Sequence, residues 1–429
     1  MSLERGAGGW EGAHVTKAPK VKVGEPRELR RRWWPRLLVA LVVLVMVLSG
    51  AGWVYLQVLE QGFATGCTSA EAWLQPVRPV EVALQGVLEE FSQKHGQAGV
   101  QAVVLDPDGA AWHGAAGLAN RGRKCAVTVE TLMCLGPVSS LFTAAVVMSL
   151  VEEGILGLDD RLGQWSGMLP AGREATIEQL LSQTSGLPGY TDRLGFRLAF
   201  FAFPQRAWTP LDLAAVVDRV PLHFPPGSRY EYSSTNALAL ALIAERAGGE
   251  SFRDLLVQRV AEPLELAHLY FEPGDLERMP VARGYDETVL GLGRSEVTAF
   301  RRGHLSGAHA GGGMIGTARD VARFTAALFG RVLLNPETVD RMIAFQEVSE
   351  TYLPAGTGFG LGVRRMEVQG RELWGHGGVI PGYTAFTAFS PEHGHVVTIL
   401  ANLSEVDLPE LAGRLQREAL VAAGVEPKY

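Results

Sequence analysis

Gly136-Pro137-Val138-Ser139-Ser140-Leu141-Phe142-Thr143-Ala144 opens an apolar run that continues to Glu153 and stops at Gly154. Proline suits the first turn of a helix, where its missing N–H would have no partner and its fixed φ is already helical. The run predicts a helix over about 137–153. Upstream, Val80 to Gly96 repeats Val80, Leu84, Val87, Leu88 and Phe91 at helical spacing. Gly99 to Leu105 then alternates as a strand. Asp106-Pro107-Asp108-Gly109 is a turn, and Ala110 to Ala116 returns as a second strand.

Downstream, residues 155–300 read as helical with long connections, and strands return after them. Gly358 to Met366, Arg371 to Trp374 and Tyr383 to Phe389 are short and bounded by turn residues. Ser390 to Gly394 turns the chain, His395 to Ala401 is an apolar strand, and Leu408 to Ala423 closes as an amphipathic helix. Helix, hairpin, helices, antiparallel meander and helix make an α+β order, not an alternating βαβ one.

Five stretches carry a resemblance in one fixed order. They are Gly136 to Ala144; Leu150-Val151-Glu152-Glu153-Gly154 with Asp159-Asp160; and Leu180-Leu181-Ser182-Gln183-Thr184-Ser185-Gly186-Leu187. Pro226-Gly227 with Tyr232-Ser233-Ser234-Thr235-Asn236 follows, then His376-Gly377-Gly378 through Gly382-Tyr383. Together they resemble the serine beta-lactamase and penicillin-binding protein superfamily, in its class C beta-lactamase, D-alanyl-D-alanine carboxypeptidase and esterase branch. The resemblance spans most of 80–425. It implies a beta-lactamase/transpeptidase-like fold, an antiparallel sheet flanked by helices with an inserted helical region. It also implies acyl transfer: a Ser at the helix start attacks a carbonyl, a Lys one turn on activates it, and a Tyr of the second motif relays the proton. Two backbone N–H groups hold the oxyanion.

The chain departs from that pattern at the reacting atoms. Without gaps, Pro137 stands at the nucleophile and Ser140 at the lysine. Proline has neither a hydroxyl nor an N–H, so one oxyanion donor is lost with the nucleophile. The six lysines are Lys17, Lys20, Lys22, Lys94, Lys124 and Lys428, and none lies three residues after a serine. Tyr232 stands at the relay position and also reads as a core tyrosine. Ser234 replaces the usual Asn. Gln183 stands where a His is usual. His376 stands where relatives carry Lys or His, and also reads as a residue that only orients the loop. The Val379 N–H lies at the remaining oxyanion position, and Gly377, Gly378 and Gly382 read as backbone geometry. The expected ligand-binding set is therefore Tyr232, Ser234, His376, Gly378 and Val379. No catalytic residue is assigned, although Ser140 is the candidate for a rearranged nucleophile, with His376 as a conceivable partner. His304, His309 and His393 lack metal-ligand spacing. No metal or cofactor is expected.

Charge is divided along the 429 residues. Residues 1–36 carry nine Lys/Arg against four Asp/Glu, 37–57 carry none, and the rest carries 30 against 42. An acidic body argues against a nucleic-acid partner. Leu37 to Leu56 is long enough to span a ~30 Å hydrocarbon core as a helix, with Arg30, Arg31, Arg32 and Arg36 before it and Trp33, Trp34, Trp53 and Tyr55 near its ends. The expected organisation is a disordered basic cytoplasmic arm (1–36), a transmembrane helix (37–56), a linker (57–78) and an extracytoplasmic domain (79–429). A cleaved signal peptide is the alternative for the apolar run. Three cysteines, Cys67, Cys125 and Cys134, leave at least one unpaired in the chain; Cys67–Cys125 is the more natural pair, and Cys134 reads as a small buried hydrophobe. The first functional reading is a catalytically inactive, membrane-anchored homologue that binds a peptide-like or cell-wall ligand, or a partner protein, in the former cleft. The alternatives are a beta-lactamase, peptidase or esterase with a rearranged nucleophile, and a purely structural envelope scaffold.

Overall fold

Alternation in the first hairpin and apolar strands near the C-terminus build one sheet from both ends of the domain. The computed structural model describes residues 78–271, 279–286, 295–348 and 357–425. The expected arm, transmembrane helix and all but the last linker residue lie outside these. Among the described residues no helix is long and apolar enough to cross a membrane. Cys125 is disulfide-bonded and Cys134 is a free buried thiol; Cys67 lies outside the described residues.

The main sheet has eight strands: β1 (Val100–Leu105), β2 (Ala111–Ala116), β3 (Gln346–Glu347), β4 (Gly358–Phe359), β5 (Arg364–Val368), β6 (Arg371–Ile380), β7 (Tyr383–Phe389) and β8 (Val396–Ala401). They lie in the order β3-β4-β5-β6-β7-β8-β1-β2, antiparallel throughout. β1 pairs with β8 from Val100 opposite Ala401 to Leu105 opposite Val396, so the two ends of the domain close on each other. The helices that bear on the site are α1 (Pro79–Lys94), α2 (Ser139–Glu152), α3 (Leu194–Ala202), α4 (Ser234–Gly248), α5 (Arg301–Ala308), α6 (Ala318–Phe329) and α7 (Leu408–Ala422).

Two cores flank the sheet. On one face α1 and α7 cover Val100, Ala102, Leu373, Phe386 and Ile399. On the other lies the larger core, built around α2, α4 and α6. Ten of the fourteen residues of α2 are buried, as an apolar helix without a polar stripe requires. Phe142 stacks on Phe324 of α6 with centroids 3.8 Å apart.

Two expected strands needed correction. Gly358 to Met366 is broken after Phe359: Gly362 takes φ +75°, and a Cβ there would come within 2.3 Å of Ala144 on α2, so only glycine makes this turn. Arg371 to Trp374 continues through His376 to Ile380, because β7 pairs with it from Trp374 opposite Phe389 to Ile380 opposite Tyr383. The third motif is thus a strand, with β5 covering only Arg371–Gly375.

Candidate active-site cleft

The chain enters α2 through a 3-10 turn, Gly136–Val138, so Pro137 sits just ahead of the α-helix proper. Gly136 has φ +49°, and its backbone packs on Ile380 of β6. The Pro137 ring lies directly against Gly378; a Cβ on Gly378 would fall 2.4 Å from Pro137 Cγ. The ring thus seats the start of α2 on the third motif and covers that face of Gly378.

At the second residue of α2, one turn after Pro137, the Ser140 hydroxyl donates to the Gly311 carbonyl at 3.2 Å and lies near the Tyr232 hydroxyl. Ser139 is fully buried, and its oxygen accepts from the Met314 amide at 3.2 Å, which places it in the scaffold. Tyr232 is 40% exposed along its ring, so it is not a core tyrosine. Its hydroxyl end is enclosed, and burial raises its pKa despite the Arg364 charge and the nearby Ser140 hydroxyl, which pull it down. A raised pKa makes Tyr232 a poor proton acceptor at neutral pH.

The second motif is held by the loop before it. Gln183, with φ +59°, is buried, and its Oε1 accepts from the Ser233 amide (2.9 Å) and from Asn236 Nδ2 (2.6 Å). Ser185 Oγ donates to Asn236 Oδ1 at 2.5 Å. Gln183 therefore acts as a clamp that fixes the Tyr232–Ser234 turn. Ser234 Oγ is engaged with Thr191, 3.0 Å from its hydroxyl.

His376 departs most from expectation. It is 2% exposed, and among the described residues neither ring nitrogen has a hydrogen-bond partner. Burial first, then the Arg364 charge, lower its pKa to about 3, against a weak opposing pull from the Gly377 backbone. A histidine held neutral and unpartnered is not paired with Ser140, and it takes no proton at physiological pH.

The cleft beside Pro137 has a volume of about 360 Å³ and is walled mainly by apolar side chains, among them Phe196, Phe200, Val379 and Ile380, with Arg197 at its edge. Of the five expected ligand-binding residues, Tyr232, Ser234 and Val379 line it. His376 and Gly378 do not, because one is buried and the other lies under the proline ring. Ser140 does not line it either. Arg364, at the start of β5, is a residue the sequence did not single out. Its charge acts on both Tyr232 and His376. Its Nε is buried without a partner, and among the described residues no carboxylate pairs with it. Its only sequence signal was a basic residue in a strand otherwise read for its apolar positions. No three His, Cys, Asp or Glu side chains among the described residues gather as metal ligands.

The chain is 28% identical over 344 residues to Penicillin-binding protein 4* of Bacillus subtilis, covering 75% of this chain and 72% of that protein. It is 28% identical over 290 residues to the D-aminopeptidase of Brucella canis, covering 67% of this chain but only 53% of that enzyme, so it spans about half the length of that relative. Among solved structures, the D-amino acid amidase of Ochrobactrum anthropi SV3 superposes with a TM-score of 0.73 at 24% identity, over 81% of this chain and all of that one. A D-stereospecific amidohydrolase from a Streptomyces species gives 0.68 at 28% identity, over 79% and 98%. Residues 84–421 match the model of the Beta-lactamase family, and the chain belongs to that family.

Proposed function

We propose that this chain is a membrane-anchored member of the family whose cleft binds a peptide-like, carboxylate-bearing ligand without forming an acyl-enzyme. Pro137 carries the reading. The position that should attack a carbonyl holds a ring with no hydroxyl and no N–H, packed on the strand that should supply the other oxyanion donor. Loss of a nucleophile costs on the order of 10⁶ in rate. The other two candidate proton acceptors are unfit: Tyr232 is shifted up and keeps its proton, and burial makes His376 too weak a base. The ligand class follows from an apolar cleft whose one lining cation among the described residues is Arg197, and from relatives named a D-aminopeptidase and a D-stereospecific amidohydrolase. The anchor rests on the uncharged run Leu37 to Leu56.

A second reading, a hydrolase with a rearranged nucleophile, also has support. The Ser140 hydroxyl lies close enough to Tyr232 to act on its ionisation, the neighbour a rearranged nucleophile would use, and relatives named a penicillin-binding protein and a D-aminopeptidase favour the same hydrolase reading.

Fluorescent penicillin separates the two. Full-length protein in detergent, incubated and run on a denaturing gel, should carry no label. Stoichiometric label that disappears in Ser140→Ala would overturn the binding reading. By calorimetry, acetyl-D-alanyl-D-alanine should bind reversibly, and Arg197→Gln should weaken it about tenfold, the worth of one charge-assisted bond.

A further inference from the structure

Helix α3 is apolar on opposite faces, which a helix at the surface of a water-soluble domain should not be. Its inward face carries Phe196 and Phe200, each 7% exposed, which wall the cleft. Its outward face carries Leu194 (70% exposed), Leu198 (61%) and Phe201 (51%), the last of which also reaches the cleft, and Phe203 (62%) follows at its end. Leu194, Leu198 and Phe201 stand at i, i+4 and i+7, so they form one stripe. Exposed Arg193 and Arg197 border it, and among the described residues neither is in an ion pair. They feel the charge of Asp192, whose own pKa burial raises. Large apolar side chains gathered in solvent mark a surface that something covers.

We propose that α3 docks on a lipid surface, with Leu194, Leu198 and Phe201 in the headgroup–acyl boundary and the cleft opening at that level. A basic-edged apolar helix is the chemistry such an interface takes up. A second protein copy fits less well. A nine-residue helix offers a stripe only about 13 Å long, and stable interfaces need roughly 800 Å² per partner. The inference rests on reading Leu37 to Leu56 as an anchor. Only 22 residues separate Leu56 from Pro79, a tether of at most about 75 Å. Tethering turns weak interfacial binding into an intramolecular event, so three side chains suffice. One helix then serves two purposes, with its outer face in lipid and its inner face on the ligand.

The test uses full-length Leu198→Cys, carrying an environment-sensitive fluorophore and reconstituted into phosphatidylethanolamine–phosphatidylglycerol vesicles. Wild type treated with the same reagent gives the background from native thiols. Val332→Cys, at a site 76% exposed, is the control. Lipids with a nitroxide near the headgroup should quench the Leu198 label roughly threefold more than the control and shift its emission to the blue. Flotation with the vesicles reports the anchor separately. Protein that floats while both labels are quenched equally retains its anchor and overturns the docking. Protein that fails to float overturns the anchor reading and the docking with it. A blue shift without lipid quenching, growing with protein concentration, would overturn it in favour of a second copy.

Discussion

At the residue where chemistry should begin, Pro137 preserves geometry while removing function. Its ring fills the space against Gly378, and the helix behind it is intact. The missing parts are few, which makes restoration a sharp test. Pro137→Ser returns a hydroxyl and an N–H, and Ser140→Lys returns a base whose ammonium would meet the Gly311 carbonyl and the Tyr232 hydroxyl, the groups Ser140 now contacts. The nearby Arg364 charge would lower that lysine's pKa, which favours the neutral form a base needs. The double variant should label covalently with penicillin, detected by mass spectrometry. Neither single variant should, because nucleophile and base act as a unit. A folded double variant that never labels would mean that the cleft itself has changed.

Among the elements, the loop through Gln183 has the most leverage on the site. Its side chain satisfies two donors of the second motif inside the protein, where an unpaired donor is costly. Gln183→Ala should cost about 1–3 kcal/mol in denaturant unfolding. It should also loosen the Tyr232–Ser234 turn, read as faster amide exchange at Ser233. Gln183→Glu keeps the acceptor and should recover most of the exchange protection. The sequence marked Gln183 only as a departure from the resemblance; its clamp geometry required the fold. The same division runs through the molecule. The β1–β2 hairpin, α1, α2, β7 and α7 were legible because period and turn residues agree there. The strand at His376–Ile380 was not, because Gly375, Gly377 and Gly378 have no strand preference and are held by β7. Glycine is required at two of these three positions: a Cβ at Gly375 would meet the Thr387 carbonyl oxygen at 2.0 Å. Tyr232, Ser234 and Val379, singled out from motif, line the cleft. His376 is buried and Gly378 lies under the proline ring, placements that are tertiary facts no motif carries. Arg364 and α3 went unread for a related reason: a lone arginine in a strand and a short apolar helix look ordinary until their surroundings are known.

For the whole molecule, the neutral interior histidine couples folding to pH. His376 sits in the fold with a pKa near 3, whereas an unfolded histidine titrates near 6.5. The unfolded chain therefore takes up a proton that the fold refuses. The stability this histidine contributes is complete above about pH 6.5 and drains as pH falls toward 3, by about 1.4 kcal/mol per pH unit. Between pH 7.5 and 5.0 the loss from His376 alone is about 2 kcal/mol, since only the last 1.5 units or so lie below 6.5. His304 and His309, lowered to about 4 by burial, act in the same direction. Their edges are partly exposed, so screening makes their shares smaller. Carboxylates in ion pairs also lose stability on acidification, so the raw slope does not isolate the histidine. The comparison that does is His376→Leu, which keeps the side chain apolar and cannot titrate. Chemical denaturation of both proteins at pH 7.5 and at pH 5.0 should show the variant gaining about 2 kcal/mol on wild type across that interval. An unchanged difference between the two pH values would mean that His376 is protonated or solvated in the fold. It would then be available to the cleft as a proton donor, and the case for a cleft that binds without reacting would lose one of its supports.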